Sequence, residues 1–219
     1  MKKHCKTKAF SLGETMTTLL LVGVVSAFSI PIIVQNYQDS QFKTAWKNEY
    51  NELARAQKLL NVDYAENFYS ECNDFDDTCL RDLFATIIEA EKKCDSNRIT
   101  DCFENSKFLD GRADIDSIGV NGGWPMLITP RGSSIKFRFH KRGCAKLGDE
   151  KEADCGWMQV DVNGKKGPNV AGKDIFFTNI FKDRLSPMPS ENKNVSREEM
   201  IEDCKHGSGM YCSRLYLGQ

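Results

Sequence analysis

KAFSLGETMTTLLLVGVVSAFSIPIIVQNYQ, residues 8–38, is the stretch that decides the architecture. From Thr15 to Gln38 no side chain is charged, and Leu19 to Val34 is apolar apart from Gly23, Ser26 and Ser29. At ~1.5 Å per residue, a helix over Thr15–Gln38 is about 36 Å long, enough to cross a hydrocarbon core of roughly 30 Å. The run therefore predicts a membrane helix. Lys2, Lys3, Lys6 and Lys8 precede it, leaving 26 of the 30 Lys+Arg against 31 Asp+Glu in the remainder. That asymmetry places the leader in the cytoplasm and the bulk of the chain outside. One carboxylate, Glu14, stands at the mouth of the run. A charge inside hydrocarbon costs at least ~2.5–3.5 kcal/mol on insertion scales, so Glu14 is a functional candidate that needs a cationic partner.

The phrase Lys8-Ala9-Phe10-Ser11-Leu12-Gly13-Glu14, followed by the apolar run with Pro31, resembles the class III signal of type IV pilins and type II secretion pseudopilins. The resemblance implies cleavage between Ala9 and Phe10 by a prepilin peptidase, N-methylation of Phe10, and a mature chain that keeps its anchor. It implies assembly through the N-terminal helix, with Glu14 of one subunit meeting the Phe10 amine of the next, and with Pro31 weakening the membrane helix. The implied partners are other pilin or pseudopilin subunits, the prepilin peptidase and an inner-membrane assembly platform. The implied location is single-pass in the inner membrane with a periplasmic head, and an extracellular filament after assembly. Ala9 stands where glycine is commoner in that family, and Gly13 where a large aliphatic residue is usual. An alternative reading of the same run is an ordinary signal peptide cleaved after Val25-Ser26-Ala27, releasing a secreted disulfide-rich binding protein.

Cysteine usage agrees with an oxidising compartment. Of nine cysteines, Cys5 lies in the leader and eight form four local couples: Cys72/Cys79, Cys94/Cys102, Cys144/Cys155 and Cys204/Cys212. Disulfides closing four short loops account for that pattern, although eight cysteines allow many other connectivities. No C-x-x-C occurs, which weakens a zinc or redox-dithiol reading.

Beyond the membrane run, Phe42, Trp46, Glu49/Tyr50, Leu53, Ala56/Gln57 and Leu60 recur at three- and four-residue steps, predicting one helix from about Ser11 to Leu60 whose outer half backs a globular head. Leu80, Leu83, Phe84, Ile87 and Ile88 predict a second helix over about 78–92. Met126–Thr129, a Pro130-Arg131-Gly132-Ser133 turn, and the alternating Ile135, Phe137 and Phe139 predict a hairpin, with further strands over 156–162 and 175–181. The fold class is thus α+β: a long N-terminal helix, membrane-spanning in its first half, packed on a three- to four-stranded antiparallel sheet in a disulfide-stapled head. The organisation is a 1–9 leader, a 10–38 transmembrane and assembly helix, and a 39–219 extracytoplasmic head. Ser196-x-x-Glu199 predicts a capped helix reaching Cys204, and Pro187, Pro189 and the run to Asn194 an exposed connector. The loops of 161–174 and the Cys204–Cys212 region also resemble pilin-like heads.

Asp161, Asn163 and Asp174 form the one oxygen-rich cluster with any claim to a metal. Calcium is the cation such oxygens suit, and some members of the resembled family bind it in a head loop, but the EF-hand spacing fails because Gly164 is fourth and Lys165 fifth. No other cofactor is implied. A net charge of -1 gives no basic field for nucleic acid. Enzyme motifs are missing: no G-x-S-x-G, phosphate loop or H-E-x-x-H occurs, Gly207-Ser208-Gly209 beside His206 is too short for a nucleophile elbow, and the acid pairs Asp76/Asp77 and Asp114/Asp116 sit in loops. No catalytic residue is assigned.

Overall fold

The computed structural model describes residues 11–64, 68–73, 75–96, 99–112, 123–140, 144, 154–191 and 193–218. Two compact units divide at Ser40: an N-terminal one and a head spanning Gln41–Gln219. Helix α1, Leu12–Asp63, contributes to both and continues unbroken through Pro31. Pro31 removes one backbone donor without ending the helix.

In the head, α1 buries Trp46, Glu49, Tyr50, Leu53, Ala56, Gln57 and Leu60. Full burial of each large apolar side chain contributes roughly 1.5–3 kcal/mol. Trp46 stacks on Phe176 with ring centroids 5.0 Å apart, and its Nε1 donates to the Ser213 carbonyl at 2.8 Å. Tyr50 Oη donates to the Leu185 carbonyl at 3.0 Å, and Gln57 Nε2 to the Phe181 carbonyl at 2.6 Å. Polar tips thus fix the register of a helix whose apolar stripe alone leaves axial sliding open.

Helix α2 spans Asp77–Ile88, capped by the Asp76 side chain accepting from the Cys79 N–H at 2.9 Å. It stops short of the expected 92 because Glu89 turns left-handed at φ 55° and its N–H closes on the Ala85 carbonyl. The chain then enters β1, Lys92–Cys94, edge strand of a six-stranded sheet completed by β2 Met126–Ile128, β3 Ser134–Phe139, β4 Asp154–Asp161, β5 Ile175–Phe181 and β6 Leu185–Pro187. Strands follow in chain order and every pair is antiparallel.

The expected three to four strands are corrected to six. Both additions are three-residue edges: β1 carries two lysines, a common edge device, and β6 carries Pro187, tolerated at an edge because no neighbour needs its missing donor. The expected exposed connector is corrected in its first part, since Pro187, Pro189 and Ser190 are buried.

Side chains alternate across the sheet. Ile135, Phe137, Phe139, Met158, Val160, Phe176 and Ile180 meet α1 and α2. The opposite face holds a second cluster, in which Phe103, Met126, Ala171, Ile175 and Phe177 are buried. Covered on both faces, β5 is buried at all seven positions. Gly156 sits at a register shift in β4, where a Cβ would run into the Arg138 carbonyl. Short helices α3, Ile99–Cys102, and α5, Cys212–Leu217, join α4, Arg197–His206, in the head. The Ser196/Glu199 capping box of α4 is present as expected.

The four local cysteine couples are disulfides: Cys72–Cys79, Cys94–Cys102, Cys144–Cys155 and Cys204–Cys212. Each closes a short loop, as expected, and Cys155 in addition stands inside the sheet. Strand β4 begins at Asp154 rather than the expected 156, which takes Cys155 into the sheet. There it is fully buried in the core, and its carbonyl accepts the His140 N–H at 2.8 Å. The hydrogen bond to His140 carries β3–β4 pairing past Gly156, the residue at which the sequence pattern alone starts the strand. The Cys144–Cys155 disulfide therefore anchors Cys144 to a sheet strand, just as Cys94–Cys102 ties β1 to α3 and Cys204–Cys212 ties α4 to α5.

Candidate assembly helix and head-loop carboxylates

The first turn of α1 closes on itself. Ser11 Oγ accepts from the Glu14 N–H at 3.2 Å, and Glu14 Oε2 accepts from the Ser11 N–H at 3.0 Å. Glu14 is therefore the acidic half of a capping box, satisfying one of the four orphan donors of the helix start while lying at the favourable end of its dipole. Ser11-x-x-Glu14 has the same form as the box recognised at Ser196, so the signal stood in the sequence. Thr17 Oγ1 donates to the Gly13 carbonyl at 2.8 Å and Thr18 Oγ1 to the Glu14 carbonyl at 2.5 Å, leaving the hydroxyls internally satisfied as an apolar medium requires.

Past this turn the side chains from Met16 to Tyr37 are exposed apart from half-buried Ser26, including Leu20 at 69% and Phe28 at 73%. Among the described residues this helix alone is long and apolar enough to cross a membrane. Ala9 and Phe10, the expected cleavage and methylation positions, lie outside the described residues, as do Asp114 and Asp116.

Asp161, Asn163 and Asp174 do come together. Asp161 and Asp174 are fully buried. Asp174 accepts the Asn169 and Val170 N–H groups, both at 2.8 Å, and Asp161 Oδ1 accepts the Asn163 N–H at 3.2 Å. The Asn169 amide, turned so that its nitrogen meets acceptors, donates to Asp161 Oδ2 at 3.3 Å and to the Lys166 carbonyl at 3.0 Å. The loop's own donors thus engage the carboxylate oxygens that a cation would use. Among the described residues no three His, Cys, Asp or Glu side chains are grouped as a metal site. Burial, with the Asp174 charge second, pushes the Asp161 carboxyl up to about 9; burial also raises Asp174. Asp161 keeps its proton at neutral pH, and the two acids act as a staple of the 161–174 loop.

A buried lysine that the strand pattern did not flag belongs to this cluster. Lys136 is 2% exposed, its Nζ lies 3.8 Å from the Phe103 ring centroid, and its charge acts on Asp161. Elsewhere, loop acids do structural work. Asp76 caps α2, while Asp77 pairs with Arg138 Nη1 at 3.0 Å and accepts the Phe139 N–H at 2.6 Å. Ser208 Oγ donates to Asp203 Oδ1 at 2.8 Å, tying down the turn inside the Cys204–Cys212 loop. Glu49, 2% exposed on α1, accepts from Ser133 Oγ at 2.9 Å through Oε1, and its Oε2 has no hydrogen-bond partner among the described residues. Comparison with models of known families, with curated proteins and with solved structures finds no match to this chain.

Proposed function

We propose that the chain is a structural subunit of a type IV pilus or type II secretion pseudopilus, cleaved between Ala9 and Phe10 and polymerising through the first half of α1. The observation that carries this reading is an uncharged, solvent-exposed helical run headed by a single carboxylate, joined in one helix to a disulfide-bonded head. In water such a surface demands cover, and a membrane followed by neighbouring subunits supplies it. Pairing Glu14 with the amine of an adjoining Phe10 offsets the expense of both charges in an apolar medium and sets the axial register. The partners of this reading are other pilin-like subunits, the peptidase and an inner-membrane platform.

The capping box supplies a sharp test. Glutamine at position 14 preserves the box but removes the charge. If Glu14 serves assembly by charge pairing, Glu14→Gln leaves membrane insertion intact and lowers incorporation into sheared surface filaments; normal incorporation sinks the pairing role. N-terminal sequencing of the membrane-extracted chain decides the anchor itself. A start at Phe10 supports the filament subunit, and a start at Phe28 supports the released binding protein.

A further inference from the structure

We propose that Lys136 and Asp161 condense into an intramolecular amide, cross-linking β3 to β4 inside the head, with Asp174 as the proton acceptor. Gln159 stands directly opposite Lys136 in the β3–β4 register, so Asp161, two residues on, is its diagonal neighbour on the same face. Diagonal pairs lie within reach of a long side chain. The Val162 N–H donates to the Asp174 carbonyl at 2.9 Å, which brings the second acid beside the end of β4. Lys136 is 2% exposed and both aspartates are fully buried. Their cluster adjoins Phe103, Ile175 and Phe177, so water that would reverse the step is kept out.

The chemistry balances within these three side chains. An ammonium on Lys136, a neutral carboxylic acid on Asp161 and a carboxylate on Asp174 carry no net charge. The Lys136 proton passes to Asp174, and the neutral amine attacks Cγ of Asp161. The resulting oxyanion faces the Asn163 N–H, 3.2 Å from Oδ1, and the backbone of Gly164, the donors already engaging this carboxyl. Asp174 then returns its proton to the departing hydroxyl, water leaves, and the second amine proton ends on Asp174. One C–N bond forms, one C–O bond breaks, and no oxidant or cofactor is needed. Burial keeps Asp161 as the neutral acid that the attack requires. Prepaid orientation in a dry pocket replaces the activating group that amide formation needs in water.

Tryptic peptide mapping of the full chain, extracted from membranes, reduced and alkylated, tests this directly. Condensed Lys136 resists trypsin, so the expected main product is a branched peptide joining residues 132–138 to residues 152–165, lighter than their sum by one water. Recovery of linear 132–136 as the main species overturns the proposal. Asp174→Asn keeps both reacting groups and removes the acceptor; with native circular dichroism retained, the branched peptide should disappear, and its persistence refutes the role given to Asp174. Lys136→Met is the blank for the branched mass.

Discussion

Helix α1 is one continuous element with two opposite relations to its surroundings. Before Ser40 its side chains are almost all exposed, whereas from Trp46 to Leu60 it buries seven of them in the head. Each half also carries a diagnostic carboxylate. Glu14 is exposed and closes a capping box, and Glu49 is sealed against Ser133 with one oxygen unpartnered among the described residues. Helicity is therefore not what separates an anchor from a core helix; the distribution of apolar residues around the axis is. A stripe commits a helix to its own domain, and an all-round apolar surface commits it to lipid or to other chains.

The largest test of this contrast is Trp46→Ala. It removes the ring stacked on Phe176 and the hydrogen bond to the Ser213 carbonyl, and should destabilise the head by about 3–5 kcal/mol in chemical denaturation. Leu20→Ala in the exposed half should stay within ~0.5 kcal/mol by the same measurement. A comparable loss from both erases the distinction between the halves.

Leu21→Arg probes the first half in the medium proposed for it. A charge near the centre of the run costs roughly 2.5–3.5 kcal/mol on insertion scales, so the membrane-bound fraction in cell fractionation should fall while the four head disulfides still form. Undiminished membrane retention removes the argument for a spanning segment.

How far these features were legible depended on whether a residue's partners repeat in sequence. The α1 stripe, the α2 face, the four expected strands and the cysteine couples all carry local periodicity or spacing. Spacing pairs Cys144 with Cys155 but does not say that Cys155 stands inside a strand, because Gly156 reads as a strand boundary and is instead a register shift within β4. Edge strand β1 hides behind Lys92 and Lys93, the first of which reads as the end of the second helix, and β6 behind a proline. Lys136 was illegible for a different reason. The pattern Ile135-Lys136-Phe137 announces one buried and one wet face, but residues around Phe103, which have no periodicity, cover the second face. A buried charge there is set by tertiary packing that no short window contains. The Asp161, Asn163 and Asp174 cluster was legible as a group, whereas its satisfaction by loop donors required the fold of 161–174.

Ser11→Ala sharpens the comparison at the helix start. Loss of an N-cap hydroxyl costs about 0.5–2 kcal/mol of local helix stability, so amide exchange at the first turn should quicken with no change in head denaturation. Unaltered exchange there means that the box does not hold the turn.

The smallest effect concerns Glu49 and is read through pH. Burial raises its carboxyl above the usual range; the hydrogen bond from Ser133 opposes that, Glu52 adds to it, and Arg131 opposes it. Because the folded state holds this proton more tightly than the unfolded chain, the associated stability is complete below the unfolded value of ~4.3 and fades as pH rises through the folded one. Asp77 and Asp174 are shifted in the same direction, so the stability that these three groups contribute should fall as pH climbs above the ordinary carboxylate range. Glu49→Gln keeps an acceptor for Ser133 and deletes one of these protons. The variant should be at least as stable as the parent at neutral pH, and its stability against pH should slope less steeply across the acid range. An unchanged slope means that water reaches the carboxylate when it ionises, and the seal between α1 and the Thr129–Ser133 turn is then looser than the buried Oε2 implies.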